Sequence, residues 1–443
     1  MQHIVIIGNG IAGITAARHL RKLSKARITV ISGETDYFFS RTALMYIYMG
    51  HMEFRHTKPY EDWFWEKNKI ELKKEWVSDI DFDKKKLSFT EGEVLSYSKL
   101  ILATGSQSNK FGWPGQDLQG VQGLFSYQDL ELMEKNTKKV NRAVVIGGGL
   151  IGVEMAEMLL SRNILVTYLI REKHFWNGVL PVEEAKLVDR HIKEHHIDLR
   201  PETELEAIHD DGKGRVQAIT TKSGERIACQ FVGLTVGVHP NLDLVKDSPV
   251  LTDRGILVDE YLETSVPDVY AIGDCAQLKN PPAHRRPIEA VWYVGRMMGE
   301  TVAHTLTGRA TKYKPGIWFN SAKFFDIEYQ TYGTVLNQLK EEEGQFYWEA
   351  EDGKKCIKIV FEKSSFQVRG VNVFGIRNRH EIWEQWLQSE KKLDYVIKHL
   401  KTANFDSEFF TRYEPAIQAG FNKQFPELAI QEERRGFFQK IFT

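Results

Sequence analysis

An α/β chain with two parallel, doubly wound units is the fold class this sequence predicts, and three observations predict it. Two apolar strands each run straight into a glycine-rich turn and a helix. They are His3-Ile4-Val5-Ile6-Ile7 before Gly8-Asn9-Gly10-Ile11-Ala12-Gly13, and Ala143-Val144-Val145-Ile146 before Gly147-Gly148-Gly149-Leu150-Ile151-Gly152. Each turn is followed by a second apolar strand that closes on a glutamate, Glu34 or Glu172. Two more apolar strands end in small-residue turns, Ala103-Thr104-Gly105-Ser106 and Ile272-Gly273-Asp274.

The two turns share one physical logic. The first glycine of each, Gly8 or Gly147, permits a tight turn. The second, Gly10 or Gly149, lets the backbone approach a pyrophosphate, and the third, Gly13 or Gly152, lets the helix pack closely on its strand. Free amides and the positive end of the helix dipole then hold phosphates. This adds the backbone of Ile11, Ala12, Leu150 and Ile151 to the candidate site. One such turn is a weak signal; two in strand–turn–helix context are a strong one. Two turns imply two dinucleotides. An acid about 20 residues beyond each turn is expected to hold the adenosine ribose, and Glu34 and Glu172 stand at that distance. Arg171, beside Glu172, pulls toward a 2′-phosphate, so NADH and NADPH both stay open, with Glu172 favouring NADH.

The order GxGxxG, ATGS, GGGLIG, Gly-Asp resembles the two-dinucleotide flavoproteins that include disulfide reductases, ferredoxin and rubredoxin reductases and apoptosis-inducing factor. The likeness covers residues 3 to 300. It implies FAD at the first turn and NAD(P)H at the second. It implies that Asp274 holds the ribityl or phosphate part of the flavin, with Ala103, Thr104, Gly105 and Gly273 at the same site. Gly237, in Gly237-Val238-His239-Pro240-Asn241, matches the family's return crossing. The resemblance also implies nesting: two Rossmann-like domains, one inside the other, plus a C-terminal α+β domain. Residues 1–112 and 248–312 would bind FAD, 113–247 would bind NAD(P), and 313–443 would form the third domain with a helical tail.

Within that family, disulfide reductases resemble one another in a redox cysteine near the start of the flavin domain. The three cysteines here, Cys229, Cys275 and Cys356, come late and far apart, with no C-x-x-C pair. The stretch Tyr37 to Leu44 resembles instead the Tyr-x-Arg-x-x-Leu stretch of ferredoxin-type reductases and of nitrite reductase flavin domains. That puts Arg41 near the flavin pyrophosphate. Met45-Tyr46 stand where many relatives place a flavin-contacting lysine. Glu154 matches an acid beside the nicotinamide in related flavoproteins and is the candidate catalytic residue, for positioning rather than proton transfer. With no thiol relay, electrons must leave the flavin directly. The expected function is therefore FAD-dependent NAD(P)H oxidoreduction with an external acceptor, foremost a small iron–sulfur protein such as ferredoxin or rubredoxin. A peripheral quinone reductase or NADH oxidase is the first rival. A redox-responsive binding protein, as in apoptosis-inducing factor, is the second.

Composition agrees with an enzyme: 42% hydrophobic and 27% charged residues are ordinary for globular chains. A net charge of −1 argues against a nucleic-acid partner. No apolar run reaches the roughly 18 residues of a spanning helix. The strand almost at Met1 leaves no room for a signal peptide, and scattered cysteines suit a reducing cytosol, so a cytoplasmic protein, monomer or homodimer, is expected. No metal is expected; His191 and His195 lie four apart but lack a third ligand nearby in sequence. Residues 209–214 read as a hairpin turn, four segments between Ile317 and Phe374 read as strands, and His380 to Leu400 has helical periodicity. The basic, aromatic end from Arg434 to Phe442 is expected to pack, with a membrane surface as the lesser alternative.

Overall fold

The computed structural model describes residues 2–405 and 411–430. The chain divides into two compact units, Met1–Trp176 with Ile192–Gly316, and Asn177–His191 with Ile317–Thr443.

Two five-stranded parallel sheets organise the first unit. One has the order Val269–Ala271, Lys99–Leu102, His3–Ile7, Arg27–Ile31, Ile70–Lys73. The other has the order Asp198–Arg200, Leu165–Leu169, Arg142–Ile146, Phe231–Leu234, Val121–Gln122. Ile4, Val5, Ile6, Val144 and Val145 are all fully buried. That explains why the central strands read as unbroken apolar runs: both faces of such a sheet are covered. In each sheet the glycine turn leaves the carboxyl end of the central strand. The chain winds to one side of that strand and later to the other, so each turn sits at a topological switch point, where open α/β sheets place their ligands.

The second sheet is inserted within the sequence of the first. The outgoing segment Ser106–Ser108 and the returning segment Val238–Pro240 pair as a two-stranded antiparallel ribbon. The amide of Asn109 donates to the Gly237 carbonyl at 3.0 Å, and that of Asn241 to the Gly105 carbonyl at 2.9 Å. The nested architecture that the resemblance implied is thus the observed one. The expected hairpin at 209–214 also forms, joining Leu205–Asp210 to Val216–Thr221.

The second unit is an antiparallel sheet in the order Phe319–Phe324, Ile327–Gly333, Val368–Phe374, Cys356–Glu362, Glu343–Glu349. Helices carrying Trp383, Trp386, Ile397 and Phe421 bury those side chains with Phe346 and Ile359 of the sheet. The single helix expected from His380 to Leu400 is broken into His380–Gln388 and Leu393–Lys398. Two features break it: Glu390 adopts φ 51, and the Lys391 carbonyl accepts from the distant Val368 amide at 2.9 Å. Strand pairing wins over helical periodicity there. The end from Arg434 to Phe442 lies outside the described residues. Among the described residues, no helix is long and apolar enough to cross a membrane.

Candidate functional site: two dinucleotide cradles

At the first turn, Gly8 has φ +114, and a Cβ there would stand 2.0 Å from the Ala103 carbonyl oxygen. A Cβ on Gly13 would stand 2.0 Å from the Gly8 oxygen. Both positions are closed by backbone and admit only glycine. Gly10 differs: a Cβ added there meets nothing within 4 Å. It would project into open space above the helix Ile11–Leu23. That helix begins at Gly10 with no side-chain cap and no acid in its first turn, which leaves its amides free for an anion.

The carboxylates expected here have partners the sequence did not disclose. Glu34 accepts two hydrogen bonds from the Arg41 guanidinium, at 2.8 and 2.6 Å, and one from the Tyr127 amide at 2.8 Å. Arg41 also donates to the Phe125 carbonyl at 2.7 Å. Glu34 therefore orients Arg41, which the sequence alone assigned to a separate role. Asn9 ties the turn to the strand end by donating to the Thr35 carbonyl at 2.9 Å. Gly273 has φ +75, and its Cβ would stand 3.0 Å from the Ala12 Cβ. Asp274, the next residue, thereby sits beside the start of the first-turn helix. Its carboxyl accepts from the Ser106 hydroxyl at 3.1 Å. Burial raises the Asp274 pKa, opposed by the Ser106 bond and by the charge of Arg41. Thr104 and Gly105 serve the crossing: the Thr104 hydroxyl donates to the Asn241 carbonyl at 2.9 Å. Gly237, with φ +91, belongs to the same crossing.

The second turn repeats the design. A Cβ on Gly147 would stand 2.4 Å from the Thr235 oxygen, and one on Gly152 would stand 2.2 Å from the Tyr168 hydroxyl. Gly149 is again open, with nothing within 4 Å. The helix Leu150–Ser161 likewise starts with no side-chain cap and no first-turn acid. The buried Tyr168 hydroxyl braces the turn by donating to the Gly147 carbonyl at 2.9 Å. Ile151 follows Leu150 in the first helical turn, and Glu154 lies one turn beyond Leu150, half-buried. Glu172 stands over the turn, since a Cβ on Gly148 would lie 3.5 Å from its Oε2. Its other oxygen accepts from Arg171 Nε at 2.7 Å. Arg171 itself is 77% exposed.

One element escaped the sequence reading. The helix Trp292–Leu306 packs on the first-turn helix through Gly295 and Gly299. A Cβ on Gly299 would stand 2.4 Å from the Ala12 carbonyl oxygen, and one on Gly295 would stand 3.3 Å from Ile11 Cγ2. Two glycines four apart in a helical stretch were the available signal. All three cysteines are buried. Burial pushes the Cys229 thiol up to about 12, and the Cys275 and Cys356 thiols are raised by burial as well.

Residues 2–299 match the pyridine nucleotide-disulphide oxidoreductase family. A nitrite reductase [NAD(P)H] of Bacillus subtilis (strain 168) is 28% identical over 90% of this chain, which spans 48% of that relative's length. A rubredoxin-NAD(+) reductase of Acinetobacter baylyi is 30% identical over 63% of this chain and 73% of its own. Among solved structures, an NAD-dependent persulfide reductase from A. fulgidus superposes with a TM-score of 0.83 at 23% identity. It covers 96% of this chain and 84% of that one; at that identity the likeness concerns the fold. Two open cradles on one nested scaffold and the match over residues 2–299 lead to one conclusion. The chain belongs to the pyridine nucleotide-disulphide oxidoreductase family, whose members use FAD and NAD(P)H.

Proposed function

We propose that this chain is an FAD-dependent NAD(P)H oxidoreductase that prefers NADH and delivers electrons directly to a small iron–sulfur protein. The observation that carries the reading is the pair of open cradles at Gly10 and Gly149, each above an uncapped helix, in a unit whose thiols are buried. The segments 1–112 and 248–312 take FAD in this reading, and 113–247 takes the nicotinamide nucleotide.

The residues present fit both groups. The amides of Ile11, Ala12 and Gly13 bind the flavin diphosphate. Arg41, held and largely neutralised by Glu34, offers guanidinium donors beside it. Asp274 accepts hydrogen bonds from cofactor hydroxyls, which favours its ionised form once they are made. At the second turn the amides of Leu150 and Ile151 bind diphosphate, Glu172 accepts from the ribose, and Glu154 positions the nicotinamide end. Held by the first cradle, FAD would supply the redox chemistry, that of accepting a hydride from reduced nicotinamide and passing electrons on. Buried, protonated thiols are poor relays, which supports direct exit. The acceptor class rests on the names of relatives such as the rubredoxin-NAD(+) reductase.

Two measurements test this. Asp274→Ala should purify with a lower ratio of flavin to protein absorbance than the parent. NADH oxidation should be followed with ferredoxin, rubredoxin, a quinone in liposomes, and oxygen as acceptors. Fastest turnover with an iron–sulfur protein is expected. Fastest turnover with quinone would replace this assignment by a membrane-directed one.

A further inference from the structure

We propose that His19, Glu300 and His304 form a binding site for one divalent transition-metal ion of the Zn2+ class, independent of both nucleotides. His19 lies on the first-turn helix, while Glu300 and His304 lie one turn apart on the helix Trp292–Leu306. Each offers one ligand atom, and the three atoms lie within 4.8 Å of one another.

Three arguments carry the site beyond coincidence of position. The first is donor chemistry. Two imidazoles and one carboxylate suit zinc and its neighbours, whereas magnesium and calcium prefer all-oxygen sets. The second is spacing. An ion with bonds of about 2.1 Å holds tetrahedral ligands about 3.4 Å apart, so the set closes by side-chain rotation of about an ångström. The third is the rigidity of the frame. The two helices run parallel in tight contact, because Gly299 faces the Ala12 carbonyl and Ala16 with no room for a Cβ. His19 lies two turns beyond Ala12, and His304 lies beyond Gly299 in the same direction. Their separation is therefore set by backbone packing rather than by flexible side chains. Glu300 is exposed and both histidines are half-buried, which gives the ion an entry path and leaves its remaining positions to water. No spacing motif marks the site, since its ligands come from two helices that are far apart in sequence and meet only in the fold.

The test is calorimetric titration of ZnCl2 into EDTA-treated, flavin-loaded full-length protein, with Tm read in parallel. Saturable uptake of one equivalent and a raised Tm are expected, because a ligand that binds only the folded state stabilises it. His304→Gln and His19→Gln should each weaken that uptake at least roughly tenfold, since loss of even an outer-shell partner weakens metal sites about 10–100-fold. Flavin content should stay at the parental level. Glu300→Gln, at an exposed position, repeats the test where a histidine variant misfolds. Absence of saturable uptake by the parent overturns the proposal. So does uptake of unchanged affinity and stoichiometry in the folded variants.

Discussion

Glycine carries different duties at different positions of the same turn, and the structure separates them. Gly8 and Gly13 are closed by backbone, whereas Gly10 is open and has φ −69, a value alanine accepts. Gly10→Ala should therefore melt within about 0.5 kcal/mol of the parent when flavin-free, as surface substitutions do, yet retain little FAD on purification. Gly13→Ala should be destabilised even without cofactor, because overpacking against fixed backbone costs about 1–3 kcal/mol. Thermal melts of stripped protein, with flavin absorbance of the purified forms, distinguish the two. The sequence revealed that both glycines matter, but not why. The reason lies in the Ala103 and Gly8 carbonyls, which only the folded chain brings there. The same limit applies to Glu34 and Arg41. Each was readable as a site residue, but their pairing depends on a loop whose path has no sequence period.

Elements were legible where a period or a motif marked them. Both parallel sheets and the C-terminal strands follow from apolar runs. The helix Trp292–Leu306 was missed because it carries no phosphate motif. The break at Glu390 was missed because the pairing of Lys391 with Val368 is tertiary. The helix Val182–Glu194 holds a further surprise in its second-unit part. Glu184 is fully buried and bonded to Asn372 Nδ2 at 2.8 Å, while Glu183 takes Lys358 at 2.8 Å. Burial pushes the Glu184 carboxyl up to about 8. The folded chain thus keeps this proton where the unfolded chain, with an ordinary value of about 4.3, has lost it. Stability from this group is full below the ordinary value and falls as pH rises toward 8, by at most about 1.4 kcal/mol per pH unit. Glu184→Gln should flatten that decline. Melts from pH 5 to 9 check it; parallel curves for parent and variant would refute it.

At the scale of the molecule, two properties follow from how groups are distributed. In the proposed function, nucleotide specificity rests on Arg171 and Glu172, which engage each other at 2.7 Å. Exposure of Arg171 limits its electrostatic reach to about 1 kcal/mol. Arg171→Ala should accordingly lower kcat/KM for NADPH about fivefold and spare NADH. A tenfold preference of the parent for NADPH would reverse the assignment of Glu172. The proposed direct exit of electrons from the flavin is supported by the burial of Cys229, Cys275 and Cys356. Replacing all three with alanine should leave stopped-flow flavin reduction and one-electron acceptor reduction near parental rates, with a moderate loss of Tm from the cavities left. A folded, flavin-loaded variant that is reduced by NADH but passes nothing on would place a thiol in the path. The nested plan was legible only through the family resemblance, which the position of Gly273-Asp274 after the second turn supported. The ribbon of 106–108 with 238–240 was not, because such short strands carry too few residues to show a period.

That ribbon also dictates an order in time. The inserted sheet holds all its strands between residues 121 and 234, so it is complete once synthesis has passed Leu234. The first sheet starts at His3, yet it waits for Val269–Ala271, and its turn helix waits longer for Gly295 and Gly299. Long-range pairing of this kind is slow to form, and domains mature in the order their parts emerge. The earliest residues of this chain are therefore among the last to find their partners. In the reading given above, the nascent protein becomes competent for its nicotinamide before it can hold its flavin.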